Sequence, residues 1–357
     1  MTYELPIEKK FGNHQTFVPK YGWLKKTYDA VAKDPLIFSR ENATVALGVG
    51  KNMVDSMAYW SEAFRLITPS SSSSKSGPRE YRNTAIADFL FDNPGWDPFI
   101  ENESTLWVLY ALAMKAPSQV PSWWLTMNHM VSSDFRVEDL QQLVVDEVNA
   151  FGLKVPLKSI QRDIDCMLRT LAPRRRLRKQ SLEEALESPL KNLGLIVLSA
   201  HDDCDFRFVR GRKANLRPEV VALLCADFMA HLDGGSDSIS VRRLATEKGS
   251  PGKILGLNER EIAEYLDLWA QNQKSSKLAV STGTRQLRID GITEKPQATL
   301  NMLLAEVYGI KNHSRIDTDL WPVRRFTAQM PEMELPLGMA SVQTTVKKPR
   351  AKQVAKA

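Results

Sequence analysis

The chain has 357 residues, of which 43% are hydrophobic and 25% are charged, and it carries a net charge of +6 with a pI near 9.1. These values are ordinary for a globular protein of two or three domains. The positive charge suits a polyanionic partner, although many basic proteins share it. The amino terminus is polar, and no apolar run has the length of a signal peptide or a membrane span. We therefore expect a cytoplasmic protein without a membrane partner.

The sequence has three cysteines, which are Cys166, Cys204 and Cys225. They are widely spaced, and no two of them form a CxxC pair. This spacing argues against a disulfide framework and against a cysteine-rich zinc site. We expect small buried thiols in a reducing compartment.

The first 20 residues predict an extended segment with a short strand around residues 16–18. An amphipathic helix should follow and end before Asp34-Pro35, because the residue before a proline disfavours helical geometry. The apolar side of this predicted helix consists of Trp23, Leu24, Tyr28 and Val31.

Residues 47–54, together with a helix running on to residue 67, predict a helix-turn-helix. Gly48 and Gly50 supply a tight turn between two helices. The second helix has an apolar side with helical spacing, formed by Met53, Met57, Trp60, Phe64 and Ile67. Its other side offers the polar residues Asn52, Asp55, Ser56, Tyr59 and Glu62. A helix-turn-helix places the start of its second helix, here Lys51 and Asn52, in the major groove of DNA.

Two other interpretations of this stretch compete with the helix-turn-helix. A phosphate-binding P-loop matches poorly, because Val45 replaces its first glycine and Asn52 replaces its metal-binding Ser or Thr. An ordinary packed helix after a glycine-rich turn remains open.

A serine-rich loop follows the predicted helix-turn-helix and leads to Arg79-Glu80-Tyr81-Arg82. Two helices followed by a loop of this kind predict a winged helix. Its wing would carry Lys75, Arg79 and Arg82 towards DNA phosphates. Solvated surface is the alternative for these three cations.

Residues 83–130 predict helices rich in aromatic side chains, which we expect to form core or helix-packing contacts. The carboxylates within this region, Asp92, Asp97, Glu101 and Glu103, have the oxygen chemistry of Mg²⁺ ligands. Caps of helices and turns are the commoner use of such residues, and we favour that role.

Two further units repeat the order of helices followed by a hairpin. In the second unit, helices around residues 140–151 and 160–171 precede strands at 193–198 and 206–210, and the hairpin tip contains residues 201–205. In the third, helices begin near Pro218, Ile239 and Asn258, a turn lies at 249–253, and a hairpin lies at 278–289.

The predicted fold is mainly α with small β-wings, arranged as tandem winged helix-turn-helix units. The expected boundaries are 1–82 for the first unit, 83–134 for a helical connection, 135–213 for the second unit and 214–325 for the third. Residues 326–357 predict a mostly disordered basic tail, because they carry several lysines and arginines.

Two further groups of cations are candidate phosphate contacts, because guanidinium and ammonium groups bind phosphate oxygens. The first is the dense cluster Arg174, Arg175, Arg176, Arg178 and Lys179, and the second is Arg212 and Lys213. Glu183, Glu184 and Glu187 follow the first cluster, so pairing within the chain is an alternative for it.

Five segments resemble a bacterial family, DUF4007, whose members accompany DNA phosphorothioation genes. These segments are residues 12–17, 21–26, 47–60, 159–166 and 249–253. The resemblance extends to about residue 325. It implies a component of a phosphorothioation system that nicks one DNA strand so that sulfur can enter the backbone. Duplex DNA would be a partner, as would an ATPase, a sulfurtransferase and a cysteine desulfurase.

The residues themselves support DNA binding, whereas nicking is implied by the resemblance alone. A nickase of this kind would need Mg²⁺ or Mn²⁺ or an activated nucleophile, and no catalytic or metal-binding signature stands out. The alternatives are a noncatalytic DNA reader, or a scaffold, that recruits the modification enzymes. We expect Lys51, Asn52, Ser56 and Tyr59 to contact bases or backbone.

Overall fold

The computed structural model describes residues 5–70, 77–173, 188–232, 236–272, 278–281, 286–290, 292–310 and 319–322. The fold is mainly helical and includes three small antiparallel sheets. No helix within these ranges is both long and apolar enough to cross a membrane.

The amino-terminal unit packs three helices next to a two-stranded hairpin. Its elements are α1 (Trp23–Lys33), α2 (Ala43–Leu47), α3 (Lys51–Ala63), β1 (Ile67–Pro69) and β2 (Tyr81–Asn83). The predicted apolar side of α1 is buried, and α1 ends at Lys33 as expected before Asp34-Pro35. Helix α3, the second helix of the predicted helix-turn-helix, is shorter than predicted, because Arg65 takes a positive φ of 57° and Ile67 begins the hairpin.

The predicted strand at residues 16–18 is wrong. This segment forms turns, and Gln15 and Thr16 take positive φ values of 51° and 66°. The His14 ring stacks on Trp60 of α3, and the Trp60 indole donates a hydrogen bond to the Phe17 carbonyl at 2.9 Å. The segment is therefore held by tertiary contacts.

Three connecting helices occupy the middle of the fold: α4 (Ala85–Phe91), α5 (Glu103–Met114) and α6 (Pro121–His129). Helix α5 is buried on every side from Ser104 to Met114, which is the pattern of a core helix. Asp97 is buried before α5 and accepts hydrogen bonds from the Glu101 and Asn102 amides at 2.8 and 3.1 Å. The favoured capping role for this carboxylate is therefore confirmed.

The second unit contains β3 (Asp134–Phe135), α7 (Val137–Ala150), α8 (Leu157–Leu171), β4 (Ile196–Leu198) and β5 (Phe206–Phe208). The predicted helices and hairpin are present. The first strand, β3, was missed, and it pairs with β5 so that the sheet order is β3-β5-β4.

The third unit repeats this order. It contains α9 (Pro218–Ala230), β6 (Ser238–Ser240), α10 (Val241–Thr246), α11 (Pro251–Leu255), α12 (Glu259–Asn272), β7 (Leu278–Ser281) and β8 (Gln286–Ile289). Its first strand again pairs with its last, in the order β6-β8-β7. An additional helix, α13 (Pro296–Val307), packs against α9 and was not predicted.

The predicted turn at residues 249–253 is partly a helix, because α11 begins at Pro251. A Cβ atom at Gly252 would lie 2.5 Å from the Cα of Ala245 in α10. Glycine is therefore required at this position for α10 and α11 to approach each other.

Candidate nucleic-acid interface

The start of α3 is one exposed part of the predicted helix-turn-helix. Gly48 has a φ of 60°, which a glycine adopts without strain, and this conformation turns the chain between α2 and α3. Lys51, Asn52 and Asp55 are exposed in the first turns of α3. The first backbone N–H groups of a helix lack helical partners, which favours contact with anions at this terminus. This surface therefore presents one cation, one amide and one carboxylate to solvent.

Two residues predicted to contact DNA lie in the interior instead. Ser56 has an exposed fraction of 0% and Tyr59 of 7%, and the Tyr59 hydroxyl donates a hydrogen bond to the Gln119 carbonyl at 2.8 Å. Burial raises the pKa of Tyr59 well above its ordinary value. We remove both residues from the contact surface, because the polar side of α3 beyond Asp55 is covered by other parts of the fold.

The hairpin β1–β2 carries the two arginines predicted for the wing. Arg82 pairs across the strands with Thr68, and its side chain is exposed. Arg79 is also exposed, but it lies 3.9 Å from Glu62 and donates to the Tyr81 hydroxyl at 3.4 Å. Arg82 is therefore better placed than Arg79 for a phosphate contact. Lys75 lies outside the described residues.

The two cations after the second hairpin have different environments. Arg212 is exposed, lies 3.7 Å from Glu264 and places its guanidinium 5.1 Å from the centre of the Tyr265 ring. Lys213 has an exposed fraction of 7%, and its ammonium donates to the carbonyls of Gly211 at 2.8 Å and Leu255 at 2.5 Å. The predicted phosphate contact by Lys213 is therefore wrong, because its side chain holds two backbone segments together inside the protein.

The burial of Lys213 predicts a measurable pH dependence. Burial lowers its pKa from 10.5 to about 8, so between these values the unfolded chain binds more protons than the folded chain. The contribution of Lys213 to the free energy of unfolding should consequently increase as the pH rises from about 8 to about 10.5. Relative to a Lys213→Met variant, the wild-type free energy of unfolding should rise by about 1 kcal/mol per pH unit in that window. Urea denaturation of both proteins at several pH values measures this difference, and a constant difference would contradict it.

The remaining predicted phosphate contacts, Arg174, Arg175, Arg176, Arg178 and Lys179, lie outside the described residues. Glu183, Glu184 and Glu187, their alternative partners, lie in the same gap. Further along the chain, the predicted hairpin tip at residues 201–205 is a turn, in which the Cys204 amide donates to the His201 carbonyl at 3.1 Å.

Asp163 is a buried anchor that joins three parts of the fold. Its carboxylate accepts hydrogen bonds from the Gly12 amide at 2.9 Å, from His14 Nε2 at 3.1 Å and from the Ser122 amide at 3.3 Å. The Thr16 amide donates to His14 Nδ1 at 3.0 Å, so the ring proton lies on Nε2 and points at Asp163. Within the described ranges, no group of three or more His, Cys, Asp or Glu residues is arranged to hold a metal ion.

A cleft of about 210 Å³ lies between α5, α9 and α11, and sequence patterns gave no sign of it. Its polar end contains Lys115 and Asp227, which form a buried ion pair, and the Trp321 indole donates to Asp227 at 2.8 Å. Burial raises the pKa of Asp227, but attraction to Lys115 and His231 outweighs burial and lowers it overall. The two members of the pair are 112 residues apart in the chain, so spacing could not reveal them.

Comparisons with known proteins place the chain in a family. Residues 11–308 match the family described as "Protein of unknown function (DUF4007)". A crystal structure of SspB is 32% identical, with a TM-score of 0.77, over 88% of this chain and 92% of SspB. A magnesium ion-bound crystal structure of SspB is 31% identical, with the same TM-score and coverage. No curated protein matches the chain.

The resemblance based on short segments is thereby confirmed over most of the chain. Three of those segments meet in the structure, because His14 contacts both Trp60 and Asp163. A fourth is joined to α6 by a hydrogen bond of 2.6 Å from the Gly249 amide to Asn128. The residues that carried the resemblance are therefore largely those that hold the fold together. The chain belongs to the DUF4007 family and shares its fold with SspB.

Proposed function

We propose that this protein is a DNA-binding component of a bacterial DNA phosphorothioation system. Family membership supports the association with such a system. The observation that carries DNA binding is the repeated order of helices followed by an antiparallel hairpin, with Lys51 and Asn52 exposed at the start of α3. This order resembles that of a winged helix-turn-helix, in which the second helix of the helix-turn-helix, α3 in this chain, would enter the major groove while the hairpin contacts the backbone.

The charges around this surface favour a duplex. Lys51 begins α3 and adds its charge to the positive end of the helix dipole. Arg82 extends from the neighbouring hairpin, and no described residue forms an ion pair with it. Asn52 can read an adenine edge through its amide, and lysine can bind guanine or phosphate. We assign specific contacts to Lys51 and Asn52, and backbone contacts to Arg79, Arg82 and Arg212.

The double variant Lys51→Glu/Asn52→Asp should lose specific duplex binding, with Kd rising by about 100-fold or more. The reason is that two groups facing DNA become anions, and each base contact contributes about 1 to 3 kcal/mol of discrimination. Both side chains are exposed, so the protein should remain folded. Fluorescence anisotropy with a labelled duplex measures the effect.

Asp55→Asn is the matched control, because it removes a negative charge from the same exposed turns. It should leave binding unchanged or tighten it. Unaltered affinity in the double variant would remove the start of α3 from the proposed interface.

We further propose that the protein assists in nicking one strand at a short site, which would let sulfur enter the backbone. Phosphodiester hydrolysis commonly uses Mg²⁺ or Mn²⁺, and one SspB crystal structure is described as magnesium ion-bound. Purified protein should convert supercoiled plasmid to open circles with either metal, and EDTA should prevent this. Intact supercoils together with a shifted DNA band would instead identify a noncatalytic reader that leaves cutting to a partner.

The proposed partners are the other enzymes of such a system: an ATPase, a sulfurtransferase and a cysteine desulfurase. Co-elution of the purified proteins in size-exclusion chromatography tests each pairing. Separate elution of every pair would contradict these assignments.

A further inference from the structure

Three cations converge where the second and third units meet. Arg210 follows β5 of the second unit, while Lys248 and Lys253 lie in the turn before α11 and within α11 of the third. The Gly211 amide donates to the Gly256 carbonyl at 2.9 Å, which joins the two segments. Arg210 and Lys253 line the same small cavity. We call Arg210, Lys248 and Lys253 the junction cations.

The junction cations have no carboxylate partner among the described residues. Arg210 donates only to neutral oxygens: Ser133 Oγ at 3.1 Å, and the carbonyls of Met130 and Val131 at 3.0 Å. No described acidic side chain lies within 4 Å of the Lys248 or Lys253 ammonium. Glu147, the acidic group beside neighbouring His129, already contacts that ring at 2.5 Å.

The junction cations differ in this respect from most of the exposed arginines that the structure describes. Many of those lie within 4 Å of a carboxylate, namely Arg40, Arg136, Arg243, Arg260 and Arg288. Three neighbouring cations without a described carboxylate partner create a local positive field, which favours an anionic partner from outside the chain.

The electrostatic effects of the three groups show that they are close enough to repel one another. Burial lowers the pKa of Lys253, and Arg210 and Lys248 lower it further. Burial also lowers the pKa of His129, and Lys248 is the largest charge acting in the same direction. Repulsion among like charges is relieved when an anion binds between them.

We infer that the junction cations bind phosphate groups of the DNA backbone. The inference rests on the proposed function and adds a second contact region, between the second and third units, to that at α3. The hydrogen bonds from Arg210 Nε and Nη2 to the segment 130–133 fix its guanidinium, and its Nη1 group stays available to donate to a phosphate oxygen. Lys248 is exposed and Lys253 is half-buried, so both ammonium groups can reach a ligand as point charges. These contacts carry no sequence information and position the duplex.

The test compares two double variants that lose the same charge. Lys248→Gln/Lys253→Gln removes two junction cations, whereas Arg243→Gln/Arg260→Gln removes two exposed arginines of the same unit that are paired with Glu247 and Glu264. Duplex affinity is measured for both and for the wild type between about 50 and about 200 mM salt. The slope of log K against log salt should be less negative by about two in the junction variant than in the wild type, since each phosphate contact contributes about −0.9. The control should keep the wild-type slope.

Between the lowest and the highest salt concentration, the affinity of the junction variant should therefore fall by a factor about ten times smaller than that of the wild type. Thermal unfolding should show that both variants remain folded, because the two lysines have no ion pair to lose within the described residues and the exposed pairs of Arg243 and Arg260 contribute little to stability. A wild-type slope in the junction variant would overturn this inference while leaving DNA binding intact. Absence of duplex binding by the wild-type protein would overturn the proposed function itself.

Discussion

Replacing Asp227 by alanine should destabilise the protein by about 3 to 5 kcal/mol, because Lys115 then becomes a buried charge without its partner. Lys115 has an exposed fraction of 9%, so its ammonium is largely shielded from bulk water. The Trp321 indole also loses its acceptor, which lies 2.8 Å away. Urea denaturation, monitored by tryptophan fluorescence, measures the free energy of unfolding.

The double variant Lys115→Met/Asp227→Leu is the control for this prediction. It removes both charges and keeps apolar volume, and such replacements are often tolerated. It should therefore be more stable than Asp227→Ala alone. If the double variant were the less stable of the two, an unpaired buried Lys115 would not be costly, and the desolvation argument would be wrong.

Replacing Asp163 by alanine should cost about 3 to 5 kcal/mol as well. The substitution leaves three donors without an acceptor, from Gly12, His14 and Ser122. The donors of His14 and Ser122 are buried, and each unsatisfied buried donor costs about 1 to 3 kcal/mol. Because the same carboxylate joins the amino-terminal segment to α6 and α8, we expect residues 12–17 to become accessible to protease. Limited proteolysis and urea denaturation measure the two effects.

Asp165→Ala is the matched control on the same helix. The Asp165 side chain is 65% exposed and pairs with Arg169 four residues later, and exposed pairs of this kind contribute only about 0.3 to 0.5 kcal/mol. The free energy of unfolding of Asp163→Asn should lie between those of Asp163→Ala and Asp165→Ala, because one side-chain oxygen remains to accept hydrogen bonds. Equal stability of Asp163→Ala and Asp165→Ala would show that the buried carboxylate is not an anchor.

The elements that the sequence predicted well are those with a repeated local signal. The apolar spacing of α1, α7, α8 and α12 follows the helical period, and the Asn258 cap of α12 is present, with its side chain accepting from the Glu261 amide at 3.0 Å. The strands β3 and β6 were missed because two or three residues carry no detectable alternation. Their existence depends on pairing with strands about 50 to 70 residues later.

The site was harder to predict, because exposure and pairing are set by distant residues. Ser56 and Tyr59 have the spacing of a polar helix face, but long-range contacts such as that to Gln119 bury them. Lys213 follows an exposed arginine and nonetheless points into the protein. The junction cations share no sequence motif, and only the packing of the second unit against the third brings them together.

Equilibrium binding of the full chain to a labelled duplex, at several salt concentrations, tests most directly whether this protein acts on DNA. We predict binding that weakens steeply with salt, with a slope of log K against log salt of about −0.9 for each phosphate contacted. Contacts at Lys51, Arg82 and the junction cations would together give a slope of about −4 or steeper. Absence of binding, or binding that does not change with salt, would contradict a role on DNA.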